Sequence, residues 1–264
     1  MKYVVVTGAR GGMGKAVVDA LVKENYFVFA LDVSPVESES ENVLHLQADI
    51  TSEQSVVAAF EEVQKRTDEV FALLHFAGIY ALDSLLEMDE KALARVFDIN
   101  LLGCARANRI FTPLLKAGSR IVITSSELAP LDPLPFTGVY AVSKSALDKY
   151  AYSLRMEAQL LGISVVVLRP GAVDTGMLGV STAALDKFCQ NTALYPCNAT
   201  RFKRIVDKVE ARNIPAAKIG DFAAKILRKK KPKFVYSINR NPLLLLLNVL
   251  PKRMQTWIIK KILK

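Results

Sequence analysis

Apolar residues along the chain fall into short unbroken runs that alternate with stretches of helical periodicity. The runs are rich in Val, Ile and Leu, a composition typical of strands buried on both faces of a parallel sheet. They predict strands at residues 3–6, 27–31, 43–47, 70–76, 120–124, 163–168 and 234–238. The periodic stretches predict helices at residues 15–22, 51–67, 90–115 and 219–227, around Tyr140, and from Pro251 onward.

Strands and helices that alternate in this way predict an α/β fold. We expect a doubly wound parallel sheet (a Rossmann fold) of about seven strands, with helices on both faces and residues 1–264 in a single domain. In such sheets ligands bind beyond the carboxyl ends of the strands. Polar and glycine residues recur at those predicted ends: Thr7-Gly8, Asp32, Asp49, Ala77-Gly78, Ser125-Ser126 and Pro170-Gly171. The sequence therefore predicts one site along this edge.

A glycine-rich segment, Thr7-Gly8-Ala9-Arg10-Gly11-Gly12-Met13-Gly14, joins the first strand to the first helix. Glycine allows a tight turn and a close approach of backbone to ligand, and the first N–H groups of the helix can hold a diphosphate. Strand before and helix after are the context that favours a nucleotide-binding turn. An ordinary flexible turn is the alternative.

Asp32 ends the second predicted strand. At that position an acidic side chain accepts hydrogen bonds from the adenosine ribose, and it repels a 2′-phosphate. Asp32 therefore predicts NAD rather than NADP. Arg10 works in the other direction, because a basic residue in the glycine turn can pair with a phosphate. A simple turn residue at the strand end is the alternative for Asp32.

Tyr140 and Lys144 lie four residues apart on a predicted helix, so both project from the same face. An ammonium beside a phenol favours the phenolate, and we expect a lowered pKa for Tyr140. Such a tyrosine can pass a proton to or from an alcohol oxygen while hydride moves to or from a nicotinamide. Ser126 can hold the same oxygen. A surface Tyr–Lys pair beside a serine turn is the alternative.

These residues together resemble the short-chain dehydrogenases/reductases in their shorter, non-extended form, over about residues 3–178. The glycine turn is similar to the family's cofactor turn, and Tyr140 with Lys144 to its active-site signature. The resemblance implies that Asn100, Ser126, Tyr140 and Lys144 are catalytic and that Lys144 also meets the nicotinamide ribose. It implies further cofactor contacts at Gly8, Arg10, Gly12, Met13, Gly14, Asp49, Ile50, Ala77, Gly78, Pro170, Gly171, Val173 and Thr175. Homodimers or homotetramers are also expected.

The sequence departs from the family pattern in two places. His75-Phe76 stands before Ala77-Gly78, where the family usually has two asparagines. This change removes hydrogen-bonding groups at the end of the strand but no proton-transfer group. Ser126 lies fourteen residues before Tyr140, where thirteen is usual, so Ser125 remains a second candidate for the catalytic serine.

Residues 176–215 are expected to form a flap over the substrate. Apolar and aromatic side chains recur there: Met177, Leu178, Leu185, Phe188 and Tyr195. They favour a hydrophobic alcohol or ketone, such as a steroid, bile acid or long-chain carbonyl compound. The alternative is that they pack the flap onto the body of the protein.

The net charge of +9 has a local origin. Residues 222–264 contain twelve Lys or Arg and no Asp or Glu, whereas the rest of the chain is mildly acidic. This distribution argues against a nucleic-acid partner. In the basic amphipathic segment 240–264, Met254, Trp257, Ile258 and Ile262 form an apolar face on the last helix. That face is expected to make weak contact with an anionic membrane, or to pack against the body or a second subunit.

Composition excludes some other classes of protein. The three cysteines show no CxxC spacing and only two histidines are present, so no metal site is expected. Met1-Lys2 leads directly into the first strand, and a cytoplasmic protein without a signal peptide is expected, with membrane association only through the tail. We therefore expect an NAD-dependent oxidoreductase. The alternative is a non-catalytic dinucleotide sensor or scaffold of the same fold.

Overall fold

A seven-stranded sheet, all parallel, forms the centre of the molecule in the order β3-β2-β1-β4-β5-β6-β9. The computed structural model describes residues 1–34, 41–210 and 212–264, with the backbone alone at 176–182, 209 and 210. The seven strands are β1 (Lys2–Thr7), β2 (Tyr26–Asp32), β3 (Val43–Gln47), β4 (Val70–His75), β5 (Leu115–Thr124), β6 (Ser164–Pro170) and β9 (Val235–Ile238). The predicted doubly wound sheet is confirmed. Its order reverses between β1 and β4, where such sheets bind their ligands.

Helices cover both faces of the sheet because the strands are apolar on both sides. Val4, Val6 and Val28 point towards α1 (Gly12–Lys23) and α8 (Ala216–Leu227), in one buried cluster. Val5, Phe29 and Ile123 lie in the opposite cluster, beneath α2 (Glu53–Gln64), α4 (Cys104–Phe111) and α5 (Gly138–Ala158). Ser52 caps α2 by accepting a hydrogen bond from the backbone N–H of Ser55, so this helix begins two residues after the predicted position 51, and it ends at Gln64 rather than at 67.

The predicted helix 90–115 is wrong as one continuous helix. It consists of α3 (Glu90–Phe97), a π-helical turn (Asp98–Gly103), α4, and a short 3₁₀ turn (Thr112–Leu114). Gly103 lies so close to Ile50 that an added Cβ would stand 2.7 Å from the Ile50 side chain, which explains a glycine here. Pro113 cannot continue the hydrogen-bonding pattern, and β5 begins directly afterwards. The π-helical turn matters for the site because it contains Asn100.

The remaining elements lie beyond the carboxyl edge of the sheet. They are β7 (Val173–Asp174), α6 (Gly176–Asn191), α7 (Pro196–Glu210), β8 (Ile214–Pro215), α9 (Pro242–Val249) and α10 (Lys252–Leu263). β7 and β8 pair in parallel as a separate two-stranded ribbon. Within the described ranges, no helix has the length and apolar character that crossing a membrane requires.

The last helix packs on the body through a face that the sequence did not single out. Leu263 is buried with Phe136 and Phe202, Ile259 packs against the same cluster, and Gln255 is buried one turn before it. Trp257 is 62% exposed, and Met254 and Ile262 are exposed as well. The expectation that the Trp257 face packs against the body of this chain is therefore wrong. A helix with apolar residues on two sides gives no sequence signal for which side the body covers.

Candidate active site

The glycine turn brings the end of β1, the start of α1 and the end of β4 into close contact. Gly8 has φ +66°, and a Cβ there would collide with the backbone of Ala77. Gly14 could not carry a side chain either, because a Cβ would overlap the Gly8 carbonyl. Gly11, the N-cap of α1, provides no side-chain capping bond, and the first turn contains no acidic residue. The first N–H groups of the helix are thus suited to an anionic ligand.

Asp32 lies beside this turn, at the carboxyl end of β2. Its carboxylate accepts a 2.9 Å hydrogen bond from the backbone N–H of Arg10 and a 3.1 Å bond from that of Ser34. Both donors belong to backbone, so they fix the carboxylate without neutralising its charge. The acidic group predicted at the strand end is therefore held against the glycine turn.

A cleft of about 1080 Å³ runs along the carboxyl edge at the β1/β4 reversal. A second cavity of about 480 Å³ adjoins it over the start of α1, where it is lined by Met13, Gly14 and Thr175. The larger cleft collects most of the remaining residues expected to bind cofactor: Gly8, Arg10, Asp32, Asp49, Ile50, Ala77 and Gly78. Hydrogen bonds from Thr51 hold the pKa of Asp49 below its usual value. Adjoining cavities that are lined by the N-terminal turn of a helix and by the carboxylates of Asp32 and Asp49 fit a dinucleotide.

The catalytic candidates meet in a smaller cavity of about 160 Å³ that shares Phe76, Gly78 and Ile79 with this cleft. Predicted residues from four separate segments line it: Met13, Ser126, Tyr140, Lys144, Pro170, Gly171, Val173 and Thr175. The carboxyl ends of β4, β5 and β6 and one face of α5 therefore converge at one point.

Lys144 is the buried cation of the site, only 5% exposed. Its Nζ donates a 3.0 Å hydrogen bond to the carbonyl of Thr124, at the end of β5. Burial lowers the pKa of Lys144 to about 8. The ammonium is still the main form at neutral pH, and the Thr124 carbonyl fixes its direction.

Asn100 is positioned by the π-helical turn and is 1% exposed. Its side-chain oxygen accepts from the Ile79 N–H at 2.8 Å, and its amide donates to the Ile79 carbonyl at 3.0 Å and to Ser143 Oγ at 3.1 Å. A Cβ on Gly78 would lie 3.2 Å from Asn100 Oδ1 and 3.5 Å from Lys144 Nζ, so this glycine leaves the two polar groups near each other. Asn100 thus holds the segment after β4 in place beside Lys144.

The expected lowering of the Tyr140 pKa is wrong for this arrangement. The pKa of Tyr140 is raised to about 12, mainly by burial of the phenol and to a smaller extent by the nearby Glu127 carboxylate. The Ser126 hydroxyl hydrogen-bonds to the phenol and is the influence that lowers the value. Lys144 Nζ lies 5.9 Å from the centroid of the Tyr140 ring. Desolvation of the phenol outweighs the favourable contacts, so Tyr140 is a protonated donor at neutral pH.

The two serines at the end of β5 have different partners. Ser126 bonds to the Tyr140 phenol, whereas Ser125 Oγ donates to the backbone carbonyl of Lys144 at 3.4 Å. The unusual spacing between serine and tyrosine therefore places Ser126, not Ser125, against the tyrosine hydroxyl.

Tyr80, Glu127 and Leu244 are among the residues that line the same cavity and that sequence reasoning missed. The Tyr80 ring packs edge-on against that of Tyr140, with centroids 4.6 Å apart. Glu127 is 8% exposed, and its carboxylate accepts a 2.6 Å bond from the backbone N–H of Asn241. Glu127 directly follows Ser126 in the sequence, and this adjacency is the signal that could have identified Glu127 as a residue of the site. Leu244 gave no signal, because it is one of five successive leucines.

The departure at His75 is explained by a buried polar pair. His75 Nε2 lies 2.8 Å from Asn108 Oδ1, and the side-chain amide of Asn108 donates to the Tyr150 hydroxyl at 3.0 Å. The amide oxygen can only accept, so the histidine ring donates from Nε2. Burial lowers the pKa of His75 to about 4. His75 is a structural residue below the site and has no contact with the catalytic cavity.

Side chains of segment 176–215 pack against the body of the protein, and none of those that the structure describes lines the catalytic cavity. Leu185 is fully buried, and the Phe188 ring packs in a tilted arrangement against that of Phe136, with centroids 4.9 Å apart. The Tyr195 ring lies 5.2 Å from that of Phe136. The packing alternative therefore holds for these three residues. The side chains of Met177 and Leu178 lie outside the described part of the chain.

Across residues 1–34, 41–210 and 212–264, no cluster of three or more His, Cys, Asp or Glu side chains is arranged to hold an ion. The three cysteines are free thiols.

Comparison with known proteins identifies the family. The sequence matches the short chain dehydrogenase family over residues 2–186. It is 24% identical over 234 residues to a 3-ketodihydrosphingosine reductase of Bacteroides thetaiotaomicron, covering 88% of this chain and 86% of that protein. It is 25% identical over 279 residues to an NADPH-dependent 3-dehydrocapnine reductase of Ornithobacterium rhinotracheale, covering 100% of this chain and 98% of that protein. A short chain dehydrogenase family protein from Francisella tularensis has the same fold, with a TM-score of 0.75 at 23% identity over 90% of this chain and 97% of that one.

The chain belongs to the short-chain dehydrogenase family. It is an oxidoreductase that acts on CH–OH groups of a small molecule with a nicotinamide dinucleotide cofactor. The alternative of a non-catalytic sensor or scaffold is therefore set aside.

Proposed function

We propose that this enzyme is NAD-dependent and transfers hydride between the nicotinamide and a hydrophobic secondary alcohol or ketone, of the steroid, bile acid or long-chain carbonyl type. The observation that carries the proposal is the meeting of Ser126, Tyr140 and Lys144 in one cavity that opens into the dinucleotide cleft. The cofactor supplies or accepts the hydride when it is bound.

Each catalytic side chain has a separate task in this proposal. Tyr140 gives its phenolic proton to the ketone oxygen, or takes one from the alcohol. Ser126 holds the same oxygen through its hydroxyl. Lys144, directed by the Thr124 carbonyl, places a positive charge where negative charge develops during proton transfer. The raised pKa of Tyr140 favours the protonated form, so the enzyme is ready to reduce a ketone at neutral pH.

The preference for NAD rests on Asp32. Its carboxylate accepts hydrogen bonds from two backbone N–H groups, which hold it beside the glycine turn. A 2′-phosphate at the adenosine ribose would be repelled by this charge. The relative from Ornithobacterium is named as NADPH-dependent, and Arg10 lines the same cleft, so NADP is the competing choice.

The apolar walls of the catalytic cavity support a hydrophobic substrate. Tyr80, Leu128, Val173 and Leu244 line it, together with the catalytic groups. The relative from Bacteroides is named as the reductase of a 3-keto compound. Glu127 provides the carboxylate of this lining and can accept a hydrogen bond from a polar group of the substrate.

We also propose a homodimer or homotetramer, and a weak peripheral contact of the basic segment 240–264 with membranes. Val142, Tyr152 and Met156 are exposed along one face of α5, and an apolar strip of this kind suits a subunit interface. The excess of cations in the C-terminal segment supports the membrane contact. In this proposal the enzyme is a cytoplasmic oligomer that associates reversibly with membranes.

A screen with purified protein tests the proposal. Hydrophobic ketones and their alcohols are offered with NADH/NAD or NADPH/NADP, with a sugar phosphate as the polar control, and the absorbance of the reduced cofactor is followed. We expect turnover of the hydrophobic compounds, with kcat/KM at least about fivefold higher for the NAD couple because of charge repulsion. Asp32→Ala should narrow that ratio. Equal or better use of the NADP couple by the wild type would contradict the NAD assignment and point to Arg10.

A further inference from the structure

Exposed apolar side chains are concentrated at the C-terminal end of the chain. Seventeen large apolar side chains are exposed among the described residues, and six of them lie within the last 22 positions. These six are Leu243, Leu246, Val249, Met254, Trp257 and Ile262. All of them belong to α9 or α10, which are separated only by Leu250 and Pro251. We call this set the C-terminal apolar face.

The body of the protein already covers the other sides of these two helices. On α10, Ile259 and Leu263 pack into the Phe136 cluster, and Asn198 Nδ2 donates to the Leu263 carbonyl at 2.6 Å. On α9, Asn248 accepts a 2.7 Å bond from the backbone of Asp132. The C-terminal apolar face therefore remains outward while the helices themselves are anchored.

The charge around the face has only one sign. Arg240, Arg253, Lys260, Lys261 and Lys264 carry positive charge, and residues 222–264 contain no carboxylate. Lys252 pairs with Asp132 of the body. A second copy of the chain would bring like charges together at an isologous contact, which disfavours self-association through this face. Cations around leucines and a tryptophan, on helices of eight and twelve residues, instead suit the surface of an anionic bilayer.

One of these two helices, α9, also forms part of the catalytic cavity. Leu244 lines the cavity, whereas its neighbours Leu243 and Leu246 point outward. Asn241, the N-cap of α9, gives its backbone N–H to Glu127 beside Tyr140. One short helix thus has the substrate cavity on one side and the C-terminal apolar face on the other.

We infer that the C-terminal apolar face docks on anionic membrane surfaces and that the hydrophobic substrate reaches the cavity from the bilayer past α9. The docking deepens the membrane contact of segment 240–264 proposed above and does not depend on the substrate class, whereas entry from the bilayer rests on the proposed hydrophobic substrate. Lys and Arg near an anionic surface each strengthen binding about fivefold at moderate ionic strength.

Vesicle sedimentation without substrate tests the docking. The full chain is mixed with phosphatidylcholine vesicles, or with vesicles in which about a third of the lipid is anionic phosphatidylserine. We expect binding to the anionic vesicles that weakens with salt. Two double variants test the two contributions: Leu246→Ser/Trp257→Ser removes apolar side chains, and Lys260→Gln/Lys261→Gln removes positive charge. Each should reduce the partition coefficient for anionic vesicles at least about tenfold. Leu161→Ser, at a leucine on another part of the surface with nearly the same exposure (61% against 64% for Leu246), is the matched control and should bind like the wild type.

Several outcomes would overturn the docking. One is failure of the wild type to bind anionic vesicles at low salt, and another is unchanged binding of the Leu246→Ser/Trp257→Ser variant. A concentration-dependent dimer that this variant abolishes would assign the face to a second copy. Binding to polyglutamate in place of vesicles would assign it to an acidic protein.

Activity on two kinds of ketone separates this inference from the proposed function. The Leu246→Ser/Trp257→Ser variant should reduce a water-soluble ketone at the wild-type rate and a vesicle-borne ketone several-fold more slowly. Equal rates on the vesicle-borne ketone would overturn entry from the bilayer. A wild type that binds vesicles but turns over neither ketone would refute the proposed substrate class and leave the docking intact.

Discussion

The ammonium of Lys144 donates a 3.0 Å hydrogen bond to the carbonyl of Thr124, across the boundary between α5 and the end of β5. This bond fixes a positive charge inside a cavity whose other walls are largely apolar. The side chain is 5% exposed, so its direction is set by the protein and not by solvent. The position of this one charge accounts for two expected properties of the enzyme.

The first expected property is that activity depends on the charge of Lys144. Lys144→Met keeps the apolar length of the side chain and removes the ammonium, so kcat/KM should fall at least about 100-fold, as expected for loss of a group that supports proton transfer. Cofactor affinity should fall as well, because Lys144 is also expected to contact the nicotinamide ribose. Steady-state kinetics and fluorescence titration of the reduced cofactor measure the two effects. Lys149→Met, at an exposed position on the same helix, is the control, and a Lys144→Met enzyme as active as this control would contradict the assignment.

The second expected property is the pH dependence of ketone reduction. Lys144 has a pKa near 8 and Tyr140 one near 12, so on raising the pH the lysine loses its proton first. The rate of ketone reduction should therefore be flat below pH 8 and decline above it, although the phenol is still protonated. A pH profile of kcat/KM from pH 6 to pH 10 measures this. A profile that rises through pH 8 would show that the ammonium is not required.

Glu127 provides a separate control over Tyr140. Its carboxylate raises the pKa of Tyr140, so Glu127→Gln should lower it while an amide oxygen still accepts from Asn241. Alcohol oxidation needs the phenolate, and its pH profile should move to lower pH in this variant. Glu157→Gln is the matched control. Glu157 lies on α5, 17 residues after Tyr140 and therefore about 25 Å from it along the helix. A shift in the opposite direction, or the same shift in both variants, would show that the Glu127 charge does not act on Tyr140.

His75 makes stability depend on pH. Its pKa is about 4 in the folded protein and near 6.5 when unfolded, so the unfolded chain binds more protons between these values. Stability should therefore decrease as the pH falls below 6.5, by roughly 2 kcal/mol at pH 5 from this residue. Denaturant unfolding at pH 7 and pH 5 measures the loss.

His75→Asn is the matched variant for that experiment. Asparagine keeps a donor for Asn108 and cannot titrate, so the difference in stability between pH 7 and pH 5 should shrink by about the amount assigned to His75. His45, whose pKa is also lowered by burial, contributes equally to both proteins. The same pH dependence in the variant would mean that His75 is not kept neutral by the fold.

Local patterns in the sequence predicted the sheet and most of the site. Unbroken runs such as Val4 to Val6 mark strands buried on both sides, and the carboxyl ends of those strands carry the polar residues that meet in the cleft. Tyr140 and Lys144 share a helix face, so their proximity follows from helical spacing alone. These features depend on residues that are neighbours in the sequence, and for that reason they could be predicted from it.

The features that were missed depend on distant contacts. Glu127 and Asn241 are 114 residues apart, and nothing local to either residue indicates the bond between them. The direction of the Tyr140 pKa depends on how completely the fold removes water from the phenol, which spacing to Lys144 does not report. The outward position of Trp257 follows from packing of Leu263 on the opposite side of the helix.

The most direct test of the catalytic account is Tyr140→Phe, which keeps the ring packed against Tyr80 and removes only the oxygen that transfers the proton. Turnover of the best ketone found in the screen is measured together with the dissociation constant of the reduced cofactor. We predict a loss of kcat of about 1000-fold or more, with cofactor affinity close to that of the wild type. A Tyr140→Phe enzyme that keeps near-normal kcat would contradict the role of Tyr140 as the proton donor and acceptor.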